Sequence, residues 1–183
     1  MTGEARPDRD ALLAGMPKGA ACAEIGVWEG DFSRSILDRT APRALHLIDP
    51  WTFRADLPDR MYGGAVAGSQ EEMDAIHRGV VRRFADEAAV RIHRAPSAEA
   101  LGAFPDGALD WAYVDGDHGY EAVLADLGAC RRAVRPGGRI AGDDYTWGEA
   151  LGFPVRRAVL AFAEAEGLSG ALERFGSQFV FRV

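Results

Sequence analysis

The segments LDWAYVDGDH, residues 109–118, and GRIAGDDY, residues 138–145, constrain how this chain can fold more than any others. Each contains a short apolar run that predicts a buried strand, and each run is followed by two acidic residues. The residues between the two runs predict a helix, so the three parts form one βαβ crossover. Because neighbouring strands lie about 4.8 Å apart, carboxylates at both carboxyl ends could bind one small cation.

Length and composition predict a single globular domain, residues 1–183. The chain is 48% hydrophobic and 27% charged, and its net charge of −7 argues against nucleic-acid binding, which needs a basic surface. The longest apolar runs fall short of the roughly 18 residues that a membrane helix needs. Residues 1–6 lack the apolar core of a signal peptide. We therefore expect a cytoplasmic protein with no nucleic-acid or membrane partner. A homo-oligomer is a possible assembly. Cys22 and Cys130 are expected to be buried free thiols.

The hydrophobic pattern predicts strands that alternate with helices. Segment 51–68 holds prolines, glycines and aromatic residues, and we interpret it as a lid or substrate loop. The order of elements predicts an α/β, Rossmann-like fold: a mostly parallel seven-stranded sheet with helices on both faces and a C-terminal antiparallel hairpin. The predicted strands are residues 20–25, 44–48, 90–93, 109–114 and 138–141, with 171–175 and 178–183 as the hairpin. The predicted helices are residues 8–15, 32–38, 70–85, 97–101, 120–134 and 155–166.

Polar residues cluster where the predicted strands end. Ligands of parallel sheets collect beyond the carboxyl ends of the strands, so this placement predicts one site at one edge. In chain order these residues are Glu24, Gly26, Asp49, Ser97, Asp115, Asp143 and Asp144.

The turn after the first strand favours a cationic ligand without phosphates. Trp28 stands where a dinucleotide fingerprint has its middle glycine, and Glu24 and Glu29 add negative charge where a pyrophosphate would lie. S-adenosylmethionine, with an ammonium and a sulfonium, suits such a turn. The alternative is that Gly26 and Gly30 only make a tight turn.

Two further residues have a structural and a functional interpretation. Asp49 ends the second strand and could accept the hydroxyls of a ribose, or it could form the turn before Pro50. Ser97 could bind an adenine, or it could cap the helix that follows it.

These motifs together resemble class I S-adenosylmethionine-dependent methyltransferases over residues of about 20–147. The motifs are Glu24-x-Gly26-x-x-x-Gly30, Asp49, Asp115-Gly-Asp117-His118, Arg135-Pro136-Gly137-Gly138 and Gly142-Asp143-Asp144-Tyr145. The two acidic motifs resemble the small metal-dependent O-methyltransferases of the macrocin and novobiocin type and their cephalosporin-hydroxylase-like relatives. This resemblance implies Mg²⁺ bound by Asp115, Asp143 and Asp144, with Asp117 as the general base. The chain is shorter than those sugar enzymes.

The resulting hypothesis is methyl transfer from S-adenosylmethionine to a hydroxyl of a small molecule such as a sugar or a catechol. His118 has the ordinary pKa closer to neutrality and stays an alternative base to Asp117. Two other hypotheses remain, a metal-independent methyltransferase of the same fold and a non-catalytic S-adenosylmethionine-binding module. The residues expected to contact the cofactor are Glu24, Gly26, Trp28, Gly30, Asp49, Ser97 and Asp115.

Overall fold

A computed structural model describes residues 7–183; residues 1–6, on which the signal-peptide prediction rests, lie outside the described part. The sheet has seven strands in the order β3-β2-β1-β4-β5-β7-β6. The first five strands along the chain run parallel, and β7 pairs antiparallel with both β5 and β6. This confirms the predicted fold class and its C-terminal hairpin. The strands are β1 Ala21–Ile25, β2 Ala44–Ile48, β3 Val90–His93, β4 Leu109–Val114, β5 Val134–Gly142, β6 Leu172–Phe175 and β7 Gln178–Arg182.

Six α-helices of the described part cover both faces of the sheet. Alternate residues of each strand point to opposite faces, so Cys22 belongs to one apolar cluster and Ala23 to the other. The first three helices supply the cluster that contains Cys22, and the last three supply the cluster that contains Ala23. The helices are α1 Pro7–Gly15, α2 Asp31–Thr40, α3 Gln70–Arg83, α4 Ser97–Gly102, α5 Tyr120–Ala133 and α6 Pro154–Ala165.

Local signals in the sequence explain where some of these helices begin. The hydroxyl of Ser69 accepts a hydrogen bond from the amide of Glu72 at 3.2 Å, which satisfies one open donor of the first turn of α3. The Glu72 carboxylate in turn accepts from the Gly68 amide at 2.6 Å. Helix α6 begins with Pro154, whose missing N–H costs nothing at that position.

The start of β5 differs from the sequence-based prediction. The strand begins at Val134 rather than at residue 138, and α5 ends one residue earlier than expected. The Pro136-Gly137-Gly138 segment lies inside the strand, where the pairing with β4 changes register between Leu109 and Trp111. Gly137 has a φ of 77°, so the segment predicted as a turn bends the strand instead of preceding it.

The remaining chain-wide predictions concern cysteines and membranes. Cys22 and Cys130 are both buried free thiols, as predicted. Among residues 7–183, every helix is too short or too polar to cross a bilayer.

Candidate active site

The order of the strands reverses between β1 and β4, and the backbone segments that follow these two strands leave the sheet side by side. The Asp115 amide donates to the Ile25 carbonyl at 2.7 Å, and the Gly26 amide donates to the Ile48 carbonyl at 2.9 Å. Gly26 has a φ of 85°, and a Cβ on it would lie 2.0 Å from the Asp115 carbonyl oxygen. Only glycine fits this close contact. Because the strand order reverses between β1 and β4, the crevice between them is the place where a sheet of this type binds its ligand.

Asp49 organises one side of this crevice, which we call the glycine-turn edge: residues 24–30 with Asp49 and Trp51. One Asp49 oxygen accepts hydrogen bonds from the amides of Val27 at 3.0 Å and Trp28 at 3.1 Å. The other accepts from the Trp51 amide at 2.7 Å. Through the Trp51 amide the side chain forms the turn at Pro50, as one of its two interpretations predicted, and through the other two amides it also holds the glycine turn. Its role toward a ribose stays a prediction.

Two tryptophans of this edge adopt left-handed backbone conformations. Trp28 has a φ of 55° and Trp51 a φ of 43°, and the Trp51 indole N–H donates to the Trp28 carbonyl at 2.9 Å. Such conformations cost bulky residues about 1–3 kcal/mol each and concentrate at ligand sites. Trp51 is fully buried against His77, which makes it a wall of this edge.

Glu24 is buried beneath the glycine turn, with 1% of its surface exposed. The hydroxyl of Ser33, in α2, donates to its carboxylate. Burial raises the pKa of Glu24 to about 8, the Ser33 hydrogen bond opposing that rise. A carboxyl with this pKa accepts a cationic ligand readily, because a positive charge beside it restores the ionised form.

The opposite side of the crevice is the acidic edge, which we define as Asp115, Asp117, His118, Asp143 and Asp144. Its counter-charge comes from α1. One terminal nitrogen of the Arg9 guanidinium lies 2.6 Å from Asp115 Oδ2 and 2.5 Å from Asp143 Oδ2. Arg9 Nε donates to the same Asp143 oxygen at 2.9 Å.

The two consecutive aspartates of this edge have different surroundings. Asp143 Oδ1 accepts from the Ser177 hydroxyl at 2.6 Å, from the Gln178 amide group and from the Asp144 backbone amide. Although burial acts to raise the pKa of Asp143, these hydrogen bonds and Arg9 lower it below the ordinary value. Burial and the neighbouring carboxylates raise the pKa of Asp144, whose backbone has a φ of 61°.

His118 joins Asp144 to Asp115. Its Nε2 lies 3.0 Å from Asp144 Oδ2 and 3.8 Å from Asp115 Oδ1. Burial acts to lower the pKa of His118, but the two carboxylates outweigh it and raise the pKa. Its buried Nδ1 has no hydrogen-bond partner among the described residues, and its ring packs edge-on against Trp147 at 5.0 Å.

Asp117 faces the segment predicted as a lid. Its Oδ1 accepts from the Gly119 amide at 2.6 Å, and its Oδ2 accepts from the Tyr62 hydroxyl at 3.2 Å. Tyr62 belongs to a short 3₁₀ turn, Met61–Gly63, and its pKa is raised to about 12 by burial and by Asp117. Arg60 lies over the Trp147 ring at 4.4 Å, so segment 51–68 contacts the acidic edge through Tyr62 and its neighbour Trp147 through Arg60.

Two predicted cofactor contacts have other partners in the structure. The Ser97 hydroxyl donates to Asp126 at 2.5 Å and makes no cap for α4. Gly30 precedes α2 with a φ of 79°, and a Cβ there would lie 2.7 Å from the Phe84 ring. Their roles toward a ligand stay predictions.

Sequence reasoning missed the residues that reach these edges from far along the chain. Arg9 is 106 residues from Asp115 and 134 residues from Asp143. Tyr62 is 55 residues from Asp117. The one local feature that sets Arg9 apart from other arginines is the acidic residue on each side of it, Asp8 and Asp10.

The side chains of the acidic edge suit a divalent cation, but the group that converges differs from the predicted ligands Asp115, Asp143 and Asp144 in containing His118. One ligand atom each from Asp115, His118 and Asp144 lie within 4.8 Å of one another. Asp143 adjoins this group, but both of its oxygens have partners, so its role as a ligand stays a prediction. Two carboxylates and one imidazole fit Mn²⁺ as well as Mg²⁺.

Comparisons of sequence and fold agree with this geometry. A family model described as a methyltransferase domain matches residues 23–145. No curated protein sequence matches the chain well enough to be named beside it.

Three solved structures show the shared fold. The O-methyltransferase NovP has a TM-score of 0.63 at 20% identity, over 96% of this chain and 75% of NovP. A precorrin 8w decarboxylase from Methanobacterium thermoautotrophicum has a TM-score of 0.64 at 17% identity, over 100% of this chain and 92% of that one. A SAM-dependent methyltransferase from Aquifex aeolicus has a TM-score of 0.60 at 17% identity, over 96% and 87%. Because the family model covers more than half of the sequence and the fold agrees with it, this chain belongs to the methyltransferase-domain family and has the class I fold that supports S-adenosylmethionine as cofactor.

Proposed function

We propose that this protein transfers the methyl group of S-adenosylmethionine to a hydroxyl of a small molecule. The cofactor lies at the glycine-turn edge, and the acceptor lies at the acidic edge across the crevice between β1 and β4. When bound, S-adenosylmethionine supplies an electrophilic methyl group, so the protein has to position and activate the acceptor.

The observation that carries this proposal is the hydrogen bond from the Tyr62 hydroxyl to Asp117. It marks a carboxylate that has a hydroxyl donor beside it, at the strand end where Asp115, His118 and Asp144 converge. A phenol or an alcohol of a substrate in the same place would donate to Asp117 in the same way. Asp117 is therefore assigned as the general base, and His118 is engaged by Asp144 instead.

Each element of the chain has a part in the reaction. The buried Glu24 attracts the positive charge of the cofactor, and Asp49 holds the turn that contacts it. Tyr62 moves off Asp117 when the acceptor arrives, while Arg60 on Trp147 keeps segment 51–68 over the crevice and excludes water. Asp117 would take the hydroxyl proton as the acceptor oxygen bonds in line to the methyl carbon and the carbon–sulfur bond breaks, with S-adenosylhomocysteine as the leaving group.

The proposed cation is Mg²⁺ or a similar divalent ion bound by Asp115, Asp144 and His118. When bound, such an ion lowers the pKa of a coordinated hydroxyl. Asp143 joins this set only if Arg9 leaves it. A metal-independent enzyme is the second candidate. The ion pairs of Arg9 favour it, because the guanidinium already places a positive charge beside Asp115 and Asp143.

The test is methyl transfer from labelled S-adenosylmethionine to a panel of sugars and catechols, with and without exhaustive chelation. Asp117→Asn should lower kcat by about 10²–10⁴, the usual contribution of a general base. Binding of S-adenosylhomocysteine, measured by calorimetry, should stay within about a factor of two of the wild type, a change of well under 1.4 kcal/mol. Glu121→Gln, an exposed carboxylate at the start of α5, is the matched control and should leave both unchanged.

Three outcomes would decide against parts of this proposal. Full activity of Asp117→Asn would remove Asp117 as the base. Full activity after chelation would select the metal-independent candidate. Methylation of amines but of no alcohol or phenol would overturn the O-methyltransferase assignment.

A further inference from the structure

Three consecutive charged residues of helix α1 contact three different places in the molecule. Asp8 Oδ2 lies 3.0 Å from the hydroxyl oxygen of Ser177, in the turn between β6 and β7. Asp10 pairs with Arg39 of α2 at 2.9 Å, on the exposed side of the helix. Between them, Arg9 turns inward to the acidic edge. The helix therefore presents one cation to the site and uses its other charges for docking.

The Arg9 guanidinium lies between two carboxylates of the acidic edge. Its terminal nitrogen bridges one oxygen of Asp115 and one of Asp143, two of the three carboxylates that the family resemblance implies as metal ligands. Its side chain is 16% exposed, and that of Asp143 is 1% exposed. The guanidinium also lies 4.6 Å from the centre of the Phe32 ring, which holds it in this place.

We propose that Arg9 is a resident cation of the acidic edge and that it competes with a divalent metal ion for Asp115 and Asp143. With Arg9 in place, Asp143 is neutralised without a metal, and the ligands left for an ion are one oxygen each of Asp115 and Asp144 and the ring nitrogen of His118. When a metal enters with Asp143 as a ligand, Arg9 has to leave, and α1 loses its ion pairs with the acidic edge. The inference rests on the cation site of the proposed function.

The consequence is a coupling between metal binding and the docking of α1. Two ligands that compete for one site weaken each other by the same factor, so a metal loosens α1 to the extent that α1 weakens the metal. The helix is anchored elsewhere by Leu12 and Leu13, both buried, so it stays attached at its C-terminal half while its first turn moves. The first turn of α1 thereby becomes a gate for the metal.

The first experiment measures binding of Mn²⁺ alone, by electron paramagnetic resonance of the free ion, without cofactor or acceptor. Arg9→Gln should bind Mn²⁺ roughly 10- to 100-fold more tightly than the wild type, the range of common coupling factors. Arg9→Lys, which keeps the charge but not the fork of donors, should fall between them. Arg39→Gln is the control: it removes another ion pair of α1, remote from the carboxylates, and should bind as the wild type does.

A second measurement uses the wild-type protein and therefore does not depend on a variant that folds. Saturating Mg²⁺ should speed hydrogen exchange of the α1 amides and leave those of α6 unchanged. Equal Mn²⁺ affinity in Arg9→Gln and wild type, absence of Mn²⁺ binding in both, or slower exchange of α1 with Mg²⁺ would each overturn the inference. Loss of S-adenosylhomocysteine binding in Arg9→Gln with unchanged Mn²⁺ affinity would also overturn it and would make Arg9 a cofactor ligand. Because neither measurement uses methyl transfer, their failure is distinguishable from failure of the proposed function.

Discussion

The glycine-turn edge and the acidic edge lie side by side at one end of the same sheet, and both are built on carboxylates, but they use them differently. At the glycine-turn edge the partners lie within 22 residues along the chain: Asp49 accepts hydrogen bonds from three backbone amides, and Glu24 accepts one from the hydroxyl of Ser33 nine residues away. At the acidic edge the partners come from distant segments, with Arg9 and Tyr62 as the clearest cases.

This contrast shows how the same residue type becomes a scaffold or a reactive group. A carboxylate whose oxygens are occupied by backbone amides fixes the chain around it and is costly to disturb. A carboxylate paired with a side chain on a movable segment can exchange that partner for a ligand. The glycine-turn edge is therefore the rigid half of the crevice, and the acidic edge is the half that can be rearranged.

The strongest effect should come from forcing the two edges apart. Gly26→Ala places a Cβ 2.0 Å from the Asp115 carbonyl oxygen, so one edge has to push the other away. We expect the free energy of unfolding to fall by about 3 kcal/mol, the upper end of common overpacking costs. Cofactor binding and Mn²⁺ binding should both weaken.

Gly19→Ala is the matched control for this variant. Gly19 has a φ of 64°, but a Cβ added there would meet no atom within 4 Å, so alanine incurs only the backbone strain. That strain costs about 1 kcal/mol. Equal losses in denaturant titrations of the two variants would mean that Gly26 is needed for its conformation and not for the contact with Asp115.

A smaller effect should follow from removing Asp49, and it should be confined to one edge. Asp49→Ala leaves three backbone amides without their acceptor, at a cost of about 1–3 kcal/mol in unfolding free energy. Binding of S-adenosylhomocysteine should weaken as the turn loosens, while Mn²⁺ affinity should be unchanged. Asp38→Ala, an exposed carboxylate on α2, should change stability by at most about 0.5 kcal/mol. A change in Mn²⁺ affinity in Asp49→Ala would contradict the division into a rigid and a rearrangeable half.

A further effect, which appears only as a change with pH, belongs to Glu24. Burial raises the pKa of this carboxyl to about 8, so the folded protein favours the protonated form more than the unfolded chain does. The stability that this difference contributes is complete below the ordinary pKa near 4.5 and is lost as the pH rises through about 8. Glu24→Gln, which cannot ionise, should lack this part of the pH dependence.

Urea denaturation at several pH values between about 5 and 8.5 checks this prediction. The difference in unfolding free energy, Glu24→Gln minus wild type, should increase as the pH rises. A difference independent of pH would mean that Glu24 is ionised in the folded protein throughout this range.

The fold was largely predictable because hydrophobic periodicity and turn residues report on local structure. The boundaries of β1 to β4 and of the final hairpin agree with the predicted ones to within about two residues. The start of β5 was wrong because Pro136-Gly137-Gly138 carries every local signal of a turn, whereas pairing with β4 keeps these residues in the strand. The bond from the Ser97 hydroxyl to Asp126 crosses from α4 to α5, and no local pattern indicates it. The role of Ser97 toward an adenine stays a prediction.

The order of residues alone was enough to establish an α/β methyltransferase-type chain with its carboxylates gathered at one end of a parallel sheet. It was enough because strand ends, glycine turns and acidic motifs are encoded within a few residues of one another. Which carboxylates are occupied, and by what, became clear only from the folded molecule. The reason is physical: the pairing of Arg9 with Asp115 and Asp143, and of Tyr62 with Asp117, depends on the docking of α1 and of segment 51–68 onto the finished sheet. Contacts between residues so far apart in the chain exist only once the core that joins them has formed.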